Sequence, residues 1–81
     1  MDEFLIENGF TQKEASIYLC TLEAGELPIS LVARKTNIKR TTAYLTIESL
    51  KNKGILFVSI KKGIQYVAAL SPETLLNRFN Q

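Results

Sequence analysis

The sequence predicts a small, mainly helical α+β domain in which helices come first, a two-stranded hairpin follows and a last helix closes the chain. Three observations carry this. Apolar residues recur at helical spacing in successive segments between Thr11 and Lys53. After Gly54 the period drops to two on either side of Lys61-Lys62-Gly63. Ser71-Pro72-Glu73 then restarts a helix, with the serine as cap and the proline at the first position, where no amide donor is needed.

Each element has its own signal. Asp2 to Asn8 reads as a short helix stopped by Gly9, a left-handed terminator. Thr11-Gln12-Lys13-Glu14 is a capping box, and Ala15, Tyr18, Leu19 and Leu22 follow as a buried stripe ending near Gly25. Leu27-Pro28-Ile29 is long enough only for a bridging strand, unless Pro28 opens the next helix. Ile29, Val32 and Ala33 form the inner face of that helix through Thr36, with Asn37 as the left-handed turn residue. Lys39 or Arg40 opens a further helix to Lys53, with Ile38 anchoring the turn and Ala43, Tyr44, Ile47 and Leu50 facing inward. In the hairpin Leu56, Val58 and Ile60 share a face, and Ile64, Tyr66 and Ala68 form the return face. Like-with-like pairing then requires a three-residue loop, with Ile60 opposite Ile64 and Val58 opposite Tyr66. Leu75, Leu76 and Phe79 are the apolar side of the last helix.

Size and composition bound the function. Eighty-one residues form one domain, residues 1–81, with a single modest core. Apolar residues at 46% and charged residues at 22% describe a soluble globule, not a disordered tail. Histidine is absent, which removes histidine bases and histidine metal ligands, and the lone Cys20 allows neither an intrachain disulfide nor a thiolate cluster. Cys20 lies among apolar helix neighbours and reads as an inert thiol in a reducing interior. No apolar run approaches the ~20 residues of a membrane span, and no signal-peptide pattern opens the chain. There is no glycine-rich phosphate loop and no acidic pair with an obvious pocket. The chain is therefore expected to be no enzyme, to carry no cofactor or metal, and to work in the cytoplasm, associated with the nucleoid.

Net charge is only +2, but it is unevenly distributed. Between Arg34 and Lys62 lie eight basic residues and one acid, a net +7, while the flanks carry −5. Such separation suits a surface that meets a polyanion. The element order supplies the geometry, because helices joined by a tight turn and followed by a hairpin describe a winged helix-turn-helix. In that fold a recognition helix, here about residues 39–53, fits the major groove, and the wing, about residues 55–69, reaches the adjacent backbone or minor groove.

The chain also resembles a known family over nearly its whole length. The segment Phe10-Thr11-Gln12-Lys13-Glu14-Ala15-Ser16-Ile17-Tyr18-Leu19 looks like the opening helix of TrmB-type transcriptional regulators. Residues Ala33 to Tyr44 are similar to their helix-turn-helix, with Asn37 where glycine is usual. Glu48 to Leu56 resembles the passage from recognition helix into wing, and Tyr66 followed by Ser71 to Leu76 resembles the exit from it. The resemblance implies a DNA-binding regulator. Members usually carry a further effector domain and a dimerising helix, for which this chain has no room. No small-molecule effector is expected within it, and sugar sensing is not carried over.

Roles follow from position. Arg40, Thr41, Thr42 and Leu45 should project from the recognition helix toward bases: arginine can grip guanine through two hydrogen bonds, the threonines can bond phosphates or bases and touch thymine methyls, and Leu45 offers apolar contact alone. Either threonine hydroxyl could instead cap the helix. Arg34, Lys35, Lys39, Lys61 and Lys62 read as phosphate clamps, with Ser49 reaching phosphates at most. Tyr44 either packs beneath the wing or offers its hydroxyl to a phosphate, and Tyr18 and Tyr66 are core residues. Lys51 and Lys53 suit the negative end of a helix dipole as well as they suit DNA.

The expected partner is double-stranded DNA, bound by a homodimer with Leu75, Leu76 and Phe79 as dimer contacts or, alternatively, as cover for the open side of the core. The competing reading is a winged-helix protein-interaction module anchored by Leu31 and Leu45, positions where the family tends to be polar.

Overall fold

The computed structural model describes residues 2–80. The elements run α1 (Asp2–Glu7), α2 (Gln12–Ala24), β1 (Glu26–Pro28), α3 (Ile29–Thr36), α4 (Arg40–Asn52), β2 (Leu56–Lys61), β3 (Ile64–Ala69) and α5 (Pro72–Phe79). This is the mainly helical α+β fold that the periodicities predict.

The helix boundaries arise from local hydrogen bonding. Thr11 and Glu14 form the full capping box: the Thr11 hydroxyl accepts from the Glu14 amide at 3.1 Å, and the Glu14 carboxylate accepts from the Thr11 amide at 2.9 Å. Gly9 takes a φ of +98°, a conformation open to glycine, and releases the chain from α1. Asn37 closes α3 in the left-handed region at φ 57°, where its amide meets the carbonyls of Ala33 and Arg34. Ser71 caps α5 through the Thr74 amide, with Pro72 behind it.

The core is one cluster. Tyr18, Ile17, Val32, Ala43, Ile47, Leu50, Leu56, Val67 and Leu75 meet in it, all essentially inaccessible. Along α2 the buried stripe centres on Ala15, Ile17, Tyr18 and Thr21, whereas Leu19 and Leu22 are only partly buried. The Thr21 hydroxyl makes this possible by donating to the Ile17 carbonyl at 2.8 Å, so a polar side chain enters the core satisfied. Tyr18 donates its hydroxyl to the Leu70 carbonyl at 2.7 Å and ties α2 to the chain leaving the wing. Phe10 sets its ring edge-on to both Tyr18 and Phe79, while Phe4 packs on Phe79.

The sheet differs from the expected one in the bounds of one strand and in register. The bridging strand expected at Leu27-Pro28-Ile29 forms one residue earlier, as β1, which pairs antiparallel with β3 in the order β1-β3-β2 and places Leu27 opposite Val67. Pro28 ends this strand and sits outside the first turn of α3. The hairpin register is also one residue from the expected one: Lys61 faces Ile64, Ile60 faces Gln65, Ser59 faces Tyr66 and Val58 faces Val67. The loop is therefore the two residues Lys62-Gly63, at φ 52° and 77°. Positive φ at both positions gives a turn whose twist matches that of the strands, and this outweighs like-with-like pairing near the tip. The slip turns β3 over. Val67 is buried completely, whereas Tyr66, expected in the core, lies half-buried on the outer face with Ile64 exposed beside the turn. Ile60 lies beyond the edge of the core and is 68% exposed.

Candidate nucleic-acid interface

The turn between α3 and α4 is built from short-range contacts. The Thr36 hydroxyl donates to the Val32 carbonyl at 2.7 Å, Asn37 reverses the chain, and Ile38 packs on the core. Lys39 stands at the N-cap of α4 without a side-chain cap bond, so neither threonine hydroxyl plays the capping role. Backbone bonding in α4 begins with the Ala43 amide to the Lys39 carbonyl at 2.8 Å. The amides of Arg40, Thr41 and Thr42 thus precede the helical ladder, at the positive end of the helix dipole.

Ala43, Ile47 and Leu50 bury one side of α4. That fixes the opposite side outward: Arg40 and Thr41 are exposed, Thr42 is half-buried, and Leu45 is 70% exposed. Beside them, an open cleft of about 450 Å³ separates the start of α4 from the wing and is lined by Ser30, Arg40, Tyr44, Ile60, Gly63, Ile64 and Gln65. Tyr44 packs against the core, the first of its two expected roles, and its ring also carries the Arg40 guanidinium at 5.8 Å, a contact the sequence did not suggest. On the other flank a shallow groove of about 240 Å³ is lined by Thr11, Glu14, Thr42, Leu45, Thr46 and Ser49. The sequence marked Thr11 only as a helix cap and did not single out Ser30, because neither residue's local pattern gives a hint that it borders α4.

The basic residues divide into three groups. Arg34, Lys39, Arg40 and Lys62 are exposed and make no ion pair among the described residues. They flank the turn, the start of α4 and the wing tip. Lys51 pairs with Glu48 at 3.9 Å and Lys53 with Glu14 at 3.1 Å, which gives both lysines intramolecular partners. Lys61 pairs with Glu26 across the sheet and lies over the Tyr66 ring at 5.4 Å. The Glu26 carboxylate, by hydrogen bond and by charge, holds the Lys61 ammonium above its ordinary pKa. Lys61 is thus not the unencumbered clamp expected of it. Lys35 lines a recess with Cys20, Glu23 and Ala24, against α2 and away from the cleft. Burial raises the Cys20 thiol pKa, with Lys35 and Glu23 acting in opposite senses, which suits an unreactive thiol.

Glu14 has a second function beyond the cap. Burial alone would raise its carboxyl pKa. The Thr11 amide and the Lys53 ammonium outweigh that and leave it lowered. The same carboxylate therefore joins the start of α2 to the end of α4. Arg78 makes a parallel link that the sequence did not suggest, donating to the carbonyls of Lys53 at 3.1 Å and Gly54 at 3.4 Å. It caps the C-terminus of α4 from α5.

Two residues offered for protein contacts are placed otherwise. Leu31 is half-buried and packs against the core, so it is no exposed anchor. Leu75 is 1% exposed and closes the chain's own core, which leaves it unable to serve as a dimer contact. Leu76 remains exposed at 40%, and Phe79 is half-buried between Phe4 and Phe10.

A helix-turn-helix followed by a hairpin, with the second helix of the turn presented outward, defines a winged helix-turn-helix domain. The profile of the sugar-specific transcriptional regulator TrmB family matches residues 5–73. The chain belongs to the TrmB family of transcriptional regulators. It is 35% identical over 78 residues to YrhO, an uncharacterised protein of Bacillus subtilis, covering 96% of this chain and 28% of that protein. Among solved structures, the archaeal chromatin protein TrmBL2 superposes with a TM-score of 0.86 at 24% identity, over 100% of this chain and 31% of that one. The homodimeric winged helix-turn-helix DNA-binding domain of a possible ArsR-family regulator from Mycobacterium bovis superposes with a TM-score of 0.73 at 22% identity, over 91% of this chain and 67% of that one. The chain thus spans less than a third of the length of YrhO and of TrmBL2. No helix among the described residues is long and apolar enough to cross a membrane.

Proposed function

We propose that this domain binds double-stranded DNA sequence-specifically for a transcriptional regulator, with α4 in the major groove and the wing on the neighbouring backbone or minor groove. One observation supports this above the others: the uncapped start of α4 projects Arg40 and Thr41 beside a cleft whose far wall is the wing tip. Arg40, Thr41, Thr42 and Leu45 face the bases. Arg34, Lys39 and Lys62 hold phosphates, with the free amides at the start of α4 adding to them. Tyr44 and Ser49 border the same surfaces, and Lys35 and Lys61 act at longer range. TrmBL2 is described with a mode of DNA binding of its own, and the Mycobacterium bovis domain as a homodimer. By analogy with the latter, two copies pair through the exposed apolar residues of α1 and α5, namely Phe4, Ile6, Leu76 and the edge of Phe79, presenting two α4 helices to successive half-sites.

The protein-interaction alternative loses its anchor pair, because Leu31 is packed inward and only Leu45 is left. A fluorescence titration with duplex DNA at two ionic strengths separates the readings. With roughly four phosphates neutralised per domain, log K should fall with log salt at a slope of about −3 to −4. Lys62→Ala should flatten that slope by about 0.9, whereas Arg40→Ala should weaken binding by about 1–3 kcal/mol and relax the sequence preference. Absence of low-salt affinity, or binding indifferent to salt, rejects the proposal.

A further inference from the structure

Among the described residues Leu45 is the most exposed large apolar side chain, at 70%, and it stands alone on its face of α4. Its helical neighbours one turn away are Thr41, Thr42, Glu48 and Ser49, all polar. The groove it borders is otherwise lined by Thr11, Glu14, Thr42, Thr46 and Ser49, so Leu45 is its one apolar wall. The remaining exposed apolar residues lie on other elements: Phe4, Ile6 and Leu76 on the terminal helices, and Phe57, Ile60 and Ile64 on the hairpin. A protein-docking patch requires continuous apolar area, and a single leucine ringed by hydroxyls does not supply it.

What suits such a residue is a small apolar target in a polar setting. The floor of the DNA major groove offers one, the C5-methyl group of thymine, and nothing else there rewards a side chain that cannot hydrogen bond. The surrounding polar groups are compatible with that environment. The Thr46 hydroxyl already donates to the Thr42 carbonyl at 2.8 Å, so it presents no unsatisfied donor beside the methyl. We infer that Leu45 is a specificity-determining residue that selects thymine by contact with its methyl group. The inference rests on the proposed placement of α4 in the major groove.

The test starts by selecting duplexes from a random pool with the wild-type domain. The winning duplex is then resynthesised with deoxyuridine replacing each thymine in turn, which removes one methyl and changes no hydrogen-bonding group. At one position the wild-type protein should lose about threefold to fivefold in affinity, the worth of one buried methyl-sized group. Leu45→Ala, a change at an exposed position that should leave the fold intact, should bind the thymine and deoxyuridine duplexes equally at that position. Leu45→Gln should move the preference there toward adenine, which a glutamine can grip through two hydrogen bonds. The inference is overturned if no single replacement weakens wild-type binding, or if Leu45→Ala retains the same sensitivity at every position. Salt-dependent binding without any enriched sequence would also overturn it while leaving DNA binding intact. Absence of binding to the pool at low salt would instead bring down the proposed function itself.

Discussion

Lys62 occupies a backbone conformation that does not favour lysine. Its φ of 52° lies in the left-handed region, at the first position of a two-residue turn whose second position is Gly63. For an L-residue with an ordinary side chain that region costs roughly 1–2 kcal/mol, and asparagine is the usual occupant before glycine in such turns. Lys62→Asn should therefore relieve about 0.5–1 kcal/mol of strain, which in a domain of this size raises the melting temperature by about 2–8 °C. On the proposed reading the same change removes a phosphate contact from the wing tip, so the salt slope of DNA binding should become less steep by about 0.9. One substitution is thus expected to strengthen the fold and weaken binding. Thermal unfolding followed by circular dichroism measures the first effect, and anisotropy titrations at several salt concentrations measure the second. A fall in melting temperature would refute the turn assignment. A gain in stability with an unchanged slope would show that the wing tip does not approach the phosphates, and that lysine sits in this turn for some other reason.

Further outcomes are expected at Tyr18, Glu14, Leu76 and Leu75. Tyr18→Phe removes the hydroxyl that donates to the Leu70 carbonyl at 2.7 Å, and should cost about 1–2 kcal/mol in a denaturant titration, because the carbonyl loses its partner beside the core. Glu14→Gln weakens the capping box and breaks the pairing with Lys53, and should destabilise by about 0.5–2 kcal/mol near neutral pH. Since the folded-state pKa of Glu14 is lowered, its charge contributes stability above the unfolded-state value and loses it as the pH falls through the folded-state value. The gap between wild type and Glu14→Gln should therefore close in unfolding curves taken below the ordinary carboxylate range, and a gap that stays constant with pH would contradict the assignment. Leu76→Ser should shift a dimer toward monomer in sedimentation with little change in stability, whereas Leu75→Ala should cost about 2–5 kcal/mol by opening a core cavity. If Leu76→Ser leaves the sedimentation profile of a dimer unchanged, the pairing surface lies elsewhere.

The elements of the fold were legible because each is decided by residues close together in the chain. Thr11 and Glu14 announce α2, Asn37 closes α3, and Ser71-Pro72 opens α5, each through hydrogen bonds spanning a few residues. Periodicity likewise showed which side of α4 turns inward, and with it that Arg40, Thr41 and Leu45 turn outward. The hairpin was legible as a hairpin, but its register was not. Apolar alternation in β3 is compatible with either face, since Tyr66 and Val67 could each have entered the core. The turn at Lys62-Gly63 and the docking of β1, which places Leu27 against Val67, decide for Val67.

The sequence alone therefore determined the order and type of the helices and the wing, the concentration of positive charge from Arg34 to Lys62, and the family resemblance. Tertiary structure decided which of those charges are at liberty. Lys53 meets Glu14, Lys61 meets Glu26, and Arg78 reaches the end of α4, all partners more than twenty positions apart in the chain. Tertiary structure also turned Leu31 and Leu75 inward. The physical reason is range. A cap or a helical stripe is settled within a turn or two of backbone, whereas an ion pair or the burial of a particular leucine depends on where elements dock, and a charge count or a hydrophobic period cannot encode that alone.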